Sequence, residues 1–384
     1  MERAQGVKSM KRFGVLAASL GLALALAQPV PVSAAIQTIE ASGVYVMDSR
    51  LGETTEAATA RAREDAKRAA AEKAGVYVES YSKMVNMVLE EDEVRTIAAQ
   101  VLKIQGEKSK VAVLEDSLLQ FTVTITALVD DNGPAMQEAM SADRGTLAES
   151  TRRNNELQKA YDELKQQMED LKRQYASASD AQRQEIKAEA ARNTERLGAV
   201  EELEKANACY LRRNYGQALT SYSNAIRMDS RLYEAYNGRG LTYYYMRRLN
   251  EAVNDFSQAI ALKSDFANAY NNRGMAYGAA GQYQNAAQDL QTAARLMPNS
   301  AEIHSNLGSV YLSLQNYDAA IGECSKAIQL NPDYTEAYFN RSLAYGHQGR
   351  YVDALPDAKR AQDLSPGDKS IQDWYQRVRS KVGG

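Results

Sequence analysis

Catalysis or metal binding by this chain would have to draw on few side chains. Its 384 residues hold two histidines, His304 and His347, and two cysteines, Cys209 and Cys324. Neither histidine has a second His or a Cys within ligand spacing, so no zinc site is predicted. The sequence has no nucleophile elbow, no phosphate-binding loop and no zinc-protease helix motif. The glycines of 274–283 (GMAYGAAGQY) read as small packing positions on a helix and its turn, not as a dinucleotide loop. Carboxylates are plentiful, but none stands apart from solvated helical faces as an acid–base pair. No catalytic residue, metal or cofactor is therefore expected.

What the chain does offer is a column of amides. Asn272, Asn306 and Asn340 recur every 34 residues, and Asn237 and Asn271 stand one place earlier within their own blocks. An amide carries both donors and an acceptor, so such a column can serve the backbone of an extended peptide. Tyr244, Tyr245, Met275, Leu312, Leu343 and His347 would flank it with apolar and aromatic surface. Arg239, Arg273 and Arg341 occupy the next place in three blocks. They either bond neighbouring repeats or steer an acidic ligand. The asparagines have a second use open to them as well, bonding the adjacent helix.

The elements that carry the column repeat with the same period. Blocks beginning at Tyr233, Ala267, Ala301 and Thr335 align without a gap. Each opens on Tyr236, Tyr270, His304 or Tyr338, and four places on stands Gly240, Gly274, Gly308 or Ser342. Tyr243, Tyr277, Tyr311 and Tyr345 follow, then alanine pairs from Ala252 and Ala259 to Ala354 and Ala361. Pro298, Pro332 and Pro366 close three of the blocks. Small residues let two helices approach closely, and proline cannot continue the second helix. This pattern resembles the tetratricopeptide repeat (TPR), a helix–turn–helix unit whose copies stack because none can bury its apolar face alone. The resemblance implies an α-solenoid of five units over residues 199–384, with a concave face that binds a partner. A degenerate first unit spans 199–232 and keeps Tyr215, Ala218, Tyr222 and Ala225. Ile371, Trp374, Tyr375 and Val378 mark a capping helix after Pro366. Cys209 and Cys324 stand at packing positions three repeats apart, which predicts buried, unbridged thiols.

Upstream the pattern changes. Leu119, Phe121, Val123, Ile125, Ala127 and Val129 alternate with polar residues as in a half-buried strand, and Asp130–Pro134 reads as the turn that ends it. Two more strands are predicted over Lys110–Glu115 and Ile39–Met47. An Ala-rich helix is expected from Thr54 to Ala74, ended by Gly75. Ala58, Ala62, Ala66, Ala69 and Ala70 form its stripe, with Arg61, Arg63, Lys67 and Arg68 outside it. A second helix carries Val94, Ile97, Ala98 and Val101. Together these make a small α/β domain over residues 36–135. The run from Ala66 to Asn86 resembles the amino-terminal domain of flagellar assembly protein T and related envelope lipoproteins. That resemblance implies a helix leading through its glycine into a strand, and a role in envelope assembly or adhesion.

Residues 136–198 read as a helical stalk. Leu157, Leu164 and Leu171 interleave with Tyr161, Met168 and Tyr175 at heptad spacing. This predicts a coiled-coil seam that joins copies of the chain into a homo-oligomer. A hairpin folded back on its own chain is the alternative. The first 35 residues carry Lys8, Lys11 and Arg12, an apolar run from Phe13 to Ala27, and small residues up to Ala35. That is the pattern of a cleaved signal peptide and predicts export to a periplasm, with no membrane span in the mature chain. Lys and Arg number 46 against 49 Asp and Glu, so no basic excess favours nucleic acid. The stalk-then-TPR order is similar to that of the periplasmic cell-division coordinators of Gram-negative bacteria. The expectation is a mainly α, multi-domain, non-enzymatic scaffold that binds a protein or extended peptide during cell-envelope assembly. Two other readings stand beside it. One is an outer-membrane or flagellar-base assembly factor that acts through the first domain. The other is a cell-wall enzyme whose site carries no recognisable motif.

Overall fold

The computed structural model describes residues 36–84, 89–115, 117–130, 136 and 144–383. The expected signal peptide and the turn after Asp130 lie outside the described residues. Three strands, β1 (Ile36–Asp48), β2 (Lys103–Glu115) and β3 (Leu118–Asp130), form an antiparallel sheet in the order β1-β3-β2. Alternation decides its faces. Ile39, Ala41, Tyr45 and Met47 are buried with Phe121, Val123 and Ile125, while Glu40, Ser42 and Val44 face out. Helices α1 (Thr55–Met84) and α2 (Glu91–Val101) complete the domain, and α1 covers the buried face. Ala58, Ala62, Ala66, Ala70 and Ala74 are fully buried, so the helix backbone sits almost on the strand. A Cβ at Gly43 would overlap the Ala62 carbonyl oxygen, an approach only glycine permits.

Two expectations fail here. The Ala-rich helix does not stop at Gly75 and pass into a strand there: α1 continues to Met84. Val78 extends the buried alanine stripe by one more turn, which outweighs the glycine's weak propensity. Gly75 serves packing instead, since a Cβ there would press on Val94 of α2 at 3.3 Å. Arg61 is not on the outer face either. It is 1% exposed and donates from Nη1 to the Tyr45 hydroxyl at 2.9 Å and to Glu53.

The stalk is a hairpin. Helices α3 (Arg144–Ser177) and α4 (Asp180–Leu211) meet at Ala178 and Ser179, where a capping box joins Ser179 and Gln182. The seam residues point inward within one chain. Tyr161, Leu164, Met168 and Leu171 are buried, with Leu157 and Tyr175 beside them, against Ile186, Ala190, Leu197 and Val200 of α4 and Leu51 of the first domain. The heptad periodicity is real, but its partner is the returning helix. This corrects the expectation of an inter-chain seam. Lys172 then docks α3 on the sheet domain by donating to the Val46 carbonyl at 2.5 Å and to the Tyr45 hydroxyl at 3.3 Å. Lys165 adds a bond to Asp65 of α1 at 2.5 Å.

The solenoid has no joint with the hairpin. Helix α4 runs unbroken across the expected boundary at 198/199, and its last turns pair with α5 (Tyr215–Met228) as the first repeat. Then come α6 (Tyr233–Tyr245) with α7 (Leu249–Leu262), α8 (Ala267–Ala279) with α9 (Tyr283–Leu296), α10 (Ala301–Ser313) with α11 (Tyr317–Leu330), and α12 (Thr335–His347) with α13 (Tyr351–Leu364). Helix α14 (Lys369–Val382) caps the array through buried Ile371 and Val378. The small residue of each first helix faces a large one on its partner. Cβ atoms at Gly240, Gly274 and Gly308 would fall 2.5–2.8 Å from Phe256, Leu290 and Cys324. In the last repeat Ser342 faces the cap and accepts from Trp374 Nε1 at 2.8 Å. Cys324 is fully buried, and burial pushes its thiol up to about 12, so it is inert packing; Cys209 is half-buried and also unbridged.

Candidate functional site

Successive first helices α8, α10 and α12 touch one another, whereas the second helices make no comparable contact along the array. The first helices therefore line the inner side of the curve. Their exposed turns carry the amide column. Asn272 donates through Nδ2 to Asn237 Oδ1 at 3.0 Å, and Asn306 donates to Asn271 Oδ1 at 3.0 Å. Asn340 reaches Ser305 Oγ at 3.5 Å, and Asn271 donates to Glu302 at 3.2 Å. The column thus bonds the third, fourth and fifth repeats each to the one before it. Asn237 and Asn271 are buried at 5% and 4% exposure and belong to the fold rather than to a ligand. Asn272, Asn306 and Asn340 are half-buried, and each keeps its Oδ1 and a second N–H unpartnered among the described residues.

The flanking residues divide in the same way. Met275, Leu312 and Leu343 are half-buried on the inner helices. Tyr244 and Tyr245 lie where α6 meets its turn, and Tyr245 packs on Tyr210 and Tyr215 of the first repeat at ring distances of 6.0 and 6.2 Å. His347 stacks on Tyr317 at 5.3 Å and 5°. His304 is buried, its ring nitrogens facing Glu323 at 2.6 Å and the Pro298 carbonyl at 3.0 Å, so it is a packing residue.

The arginines beside the column turn away from the groove. Arg239, Arg273 and Arg341 each close a two-pronged bond on an aspartate sixteen residues on, Asp255, Asp289 and Asp357. Each also donates through Nη1 to a serine of the preceding second helix, Ser223, Ser257 or Ser325, at 2.9–3.1 Å. These aspartates and serines recur in register with the arginines, a signal in the sequence that the arginines alone do not carry. The fourth repeat lacks the clamp: Leu307 stands in the arginine position and is buried.

A cleft of about 550 Å³ lies between α1, α2, β2 and the hairpin. Its charges answer one another. Lys67 bonds Glu64 at 2.5 Å and stands 3.6 Å from Glu204, and Arg68 meets Asp162 at 3.2 Å. Burial, and then the neighbouring Glu64, hold the Glu204 carboxyl well above its usual range. Among the described residues, no helix is long and apolar enough to cross a membrane.

Two family models described as tetratricopeptide repeats match this chain, one over 272–335 and 306–369 and the other over 247–281. Residues 247–369 are thus built of tetratricopeptide repeats. The solenoid is similar in fold to several solved structures. YrrB, described as a TPR protein with an unusual peptide-binding site, is 23% identical with a TM-score of 0.39, over 45% of this chain and 89% of its own. The thermophilic TPR protein TTC0263 of Thermus thermophilus is 23% identical with a TM-score of 0.40, over 48% and 98%. PilF of Pseudomonas aeruginosa is 18% identical with a TM-score of 0.45, over 50% and 86%. No curated protein matches the chain.

Proposed function

We propose that this TPR protein is an exported, non-enzymatic scaffold that holds an extended segment of a protein partner along the inner face of its solenoid, in the service of cell-envelope assembly. The observation that carries the reading is the unspent half of Asn272, Asn306 and Asn340. Each amide uses one N–H within the fold and keeps an acceptor and a donor at one-repeat intervals. Met275, Leu312 and Leu343 beside them offer apolar contact that a polar groove would lack. The Arg–Asp–Ser clamps hold α6, α8 and α12 rigid, so little order has to be gained there on binding. Export rests on the charged, then apolar, then small-residue pattern of the first 35 residues.

A random peptide library presented to the full chain tests this. Recovered peptides are expected to compete for one site and to cross-link within α8, α10 and α12. Recovery of no peptide, or cross-links confined to the sheet domain, would overturn the reading.

A further inference from the structure

The residue that reverses each repeat between its two helices has positive φ throughout the array. In the third and fifth repeats it is glycine, Gly281 at 75° and Gly349 at 76°, and in the fourth it is Gln315 at 60°. In the first two repeats it is arginine, Arg213 at 58° and Arg247 at 61°. A left-handed backbone strains any side chain that carries a Cβ, so arginine at this place costs stability that glycine would not. The two turns read Tyr210-Leu211-Arg212-Arg213 and Tyr244-Tyr245-Met246-Arg247-Arg248. The tyrosine contacts across Tyr210, Tyr215 and Tyr245 bring them side by side.

The patch they form is cationic and apolar at once. Leu211 is 75% exposed, Tyr245 54% and Met246 40%. Arg248 is paired with Glu251 at 2.8 Å, whereas Arg212, Arg213 and Arg247 are exposed and have no charged partner among the described residues. The turn backbone offers nothing to a peptide chain: the N–H groups of Arg213, Asn214, Arg247 and Arg248 already donate to carbonyls of their own repeat at 2.8–2.9 Å. A protruding edge with apolar tips, phenolic rings and unpaired guanidinium groups fits a surface that is anionic above and apolar beneath.

We infer that the paired turns of the first two repeats dock on a bilayer rich in anionic phospholipid. Arg212, Arg213 and Arg247 meet the headgroup phosphates, and Leu211 and Met246 enter the interface. The surface lies on the edge of the solenoid and leaves the inner face free, so the inference does not depend on the groove.

Flotation of the full chain with phosphatidylglycerol–phosphatidylcholine vesicles tests it. Binding is expected to the mixed vesicles, to be lost on pure phosphatidylcholine, and to weaken in 0.5 M salt, a condition chosen to shorten the screening length to about 4 Å. The double variant Arg213→Gly, Arg247→Gly suits the backbone better, so its unfolding midpoint should rise while vesicle partitioning falls about 30-fold. Unchanged partitioning of that variant overturns the inference. So does equal binding to neutral vesicles, no binding to either, or a soluble polyglutamate that displaces the chain at matched charge concentration, which would assign the patch to an acidic protein segment.

Discussion

Asp289 holds Arg273 with both carboxylate oxygens, Nε to Oδ2 at 2.7 Å and Nη2 to Oδ1 at 2.9 Å. The pair joins the two helices of the third repeat. The third guanidinium nitrogen reaches back 2.9 Å to Ser257, whose hydroxyl donates in turn to the Val253 carbonyl. One side chain thereby ties three helices. The bonds to Asp289 hold the Arg273 guanidinium above its usual pKa, so it stays charged at any working pH.

Asp289→Ala should destabilise the chain by about 1.5–3 kcal/mol, because Arg273 is only 19% exposed and loses a charged partner. Urea unfolding of Asp289→Ala, Arg273→Ala and the double variant checks this. The single losses should not add.

The junction between sheet and hairpin makes a steeper prediction. Glu53 is the one carboxylate that Arg61 and Lys172 share, and its side chain is fully buried. Glu53→Gln leaves the buried Arg61 without its bonded carboxylate and Lys172 with Glu169 as its remaining partner, and should cost about 3–5 kcal/mol. Lys172→Met should cost less, since Arg61 and Glu53 remain paired. Thermal unfolding of the two variants gives the order directly.

Leu164 and Leu171 test the hairpin against an oligomer seam. Both are 4% exposed within the chain's own core. The double change Leu164→Glu, Leu171→Glu should lower the unfolding midpoint at every protein concentration, at a cost of several kcal/mol. A seam between chains would instead make the wild-type midpoint rise with concentration.

Glu201 sets a pH dependence. Burial, opposed by Arg61, raises its carboxyl from 4.5 to about 7. Between those values the folded chain binds more protons than the unfolded one, so stability falls as pH rises. The contribution is full below about 4.5 and gone above about 7, an effect of about 3 kcal/mol. Glu204 acts in the same direction. Glu201→Gln should flatten the slope of denaturant stability between pH 5 and 7 (the range to be scanned) and raise stability at the upper end.

The solenoid was legible because its rules are local. A glycine opposite Phe256 or Leu290, and a proline two residues past α9 or α11, are visible in any one repeat and confirmed by the next. What failed depended on long-range contact. The heptad of Leu157 to Tyr175 specifies a partner helix but not whose, and the choice was made by α4 returning. Gly75 reads as a helix end until α2 is seen to need the space. The asparagines show the same limit within the site. Their period placed them on one face, but the bond that Asn272 and Asn306 each make to the preceding repeat at 3.0 Å cannot be read from spacing.

The most direct test of the inner-face groove is calorimetry with a library-selected peptide on Met275→Glu and Leu312→Glu. Both residues are half-buried beside the partly used amides, so a carboxylate at either can reach water. The groove account predicts binding weakened at least 10-fold, about 1.4 kcal/mol, in each variant, with the unfolding midpoint little changed. Wild-type affinity in both variants would contradict it.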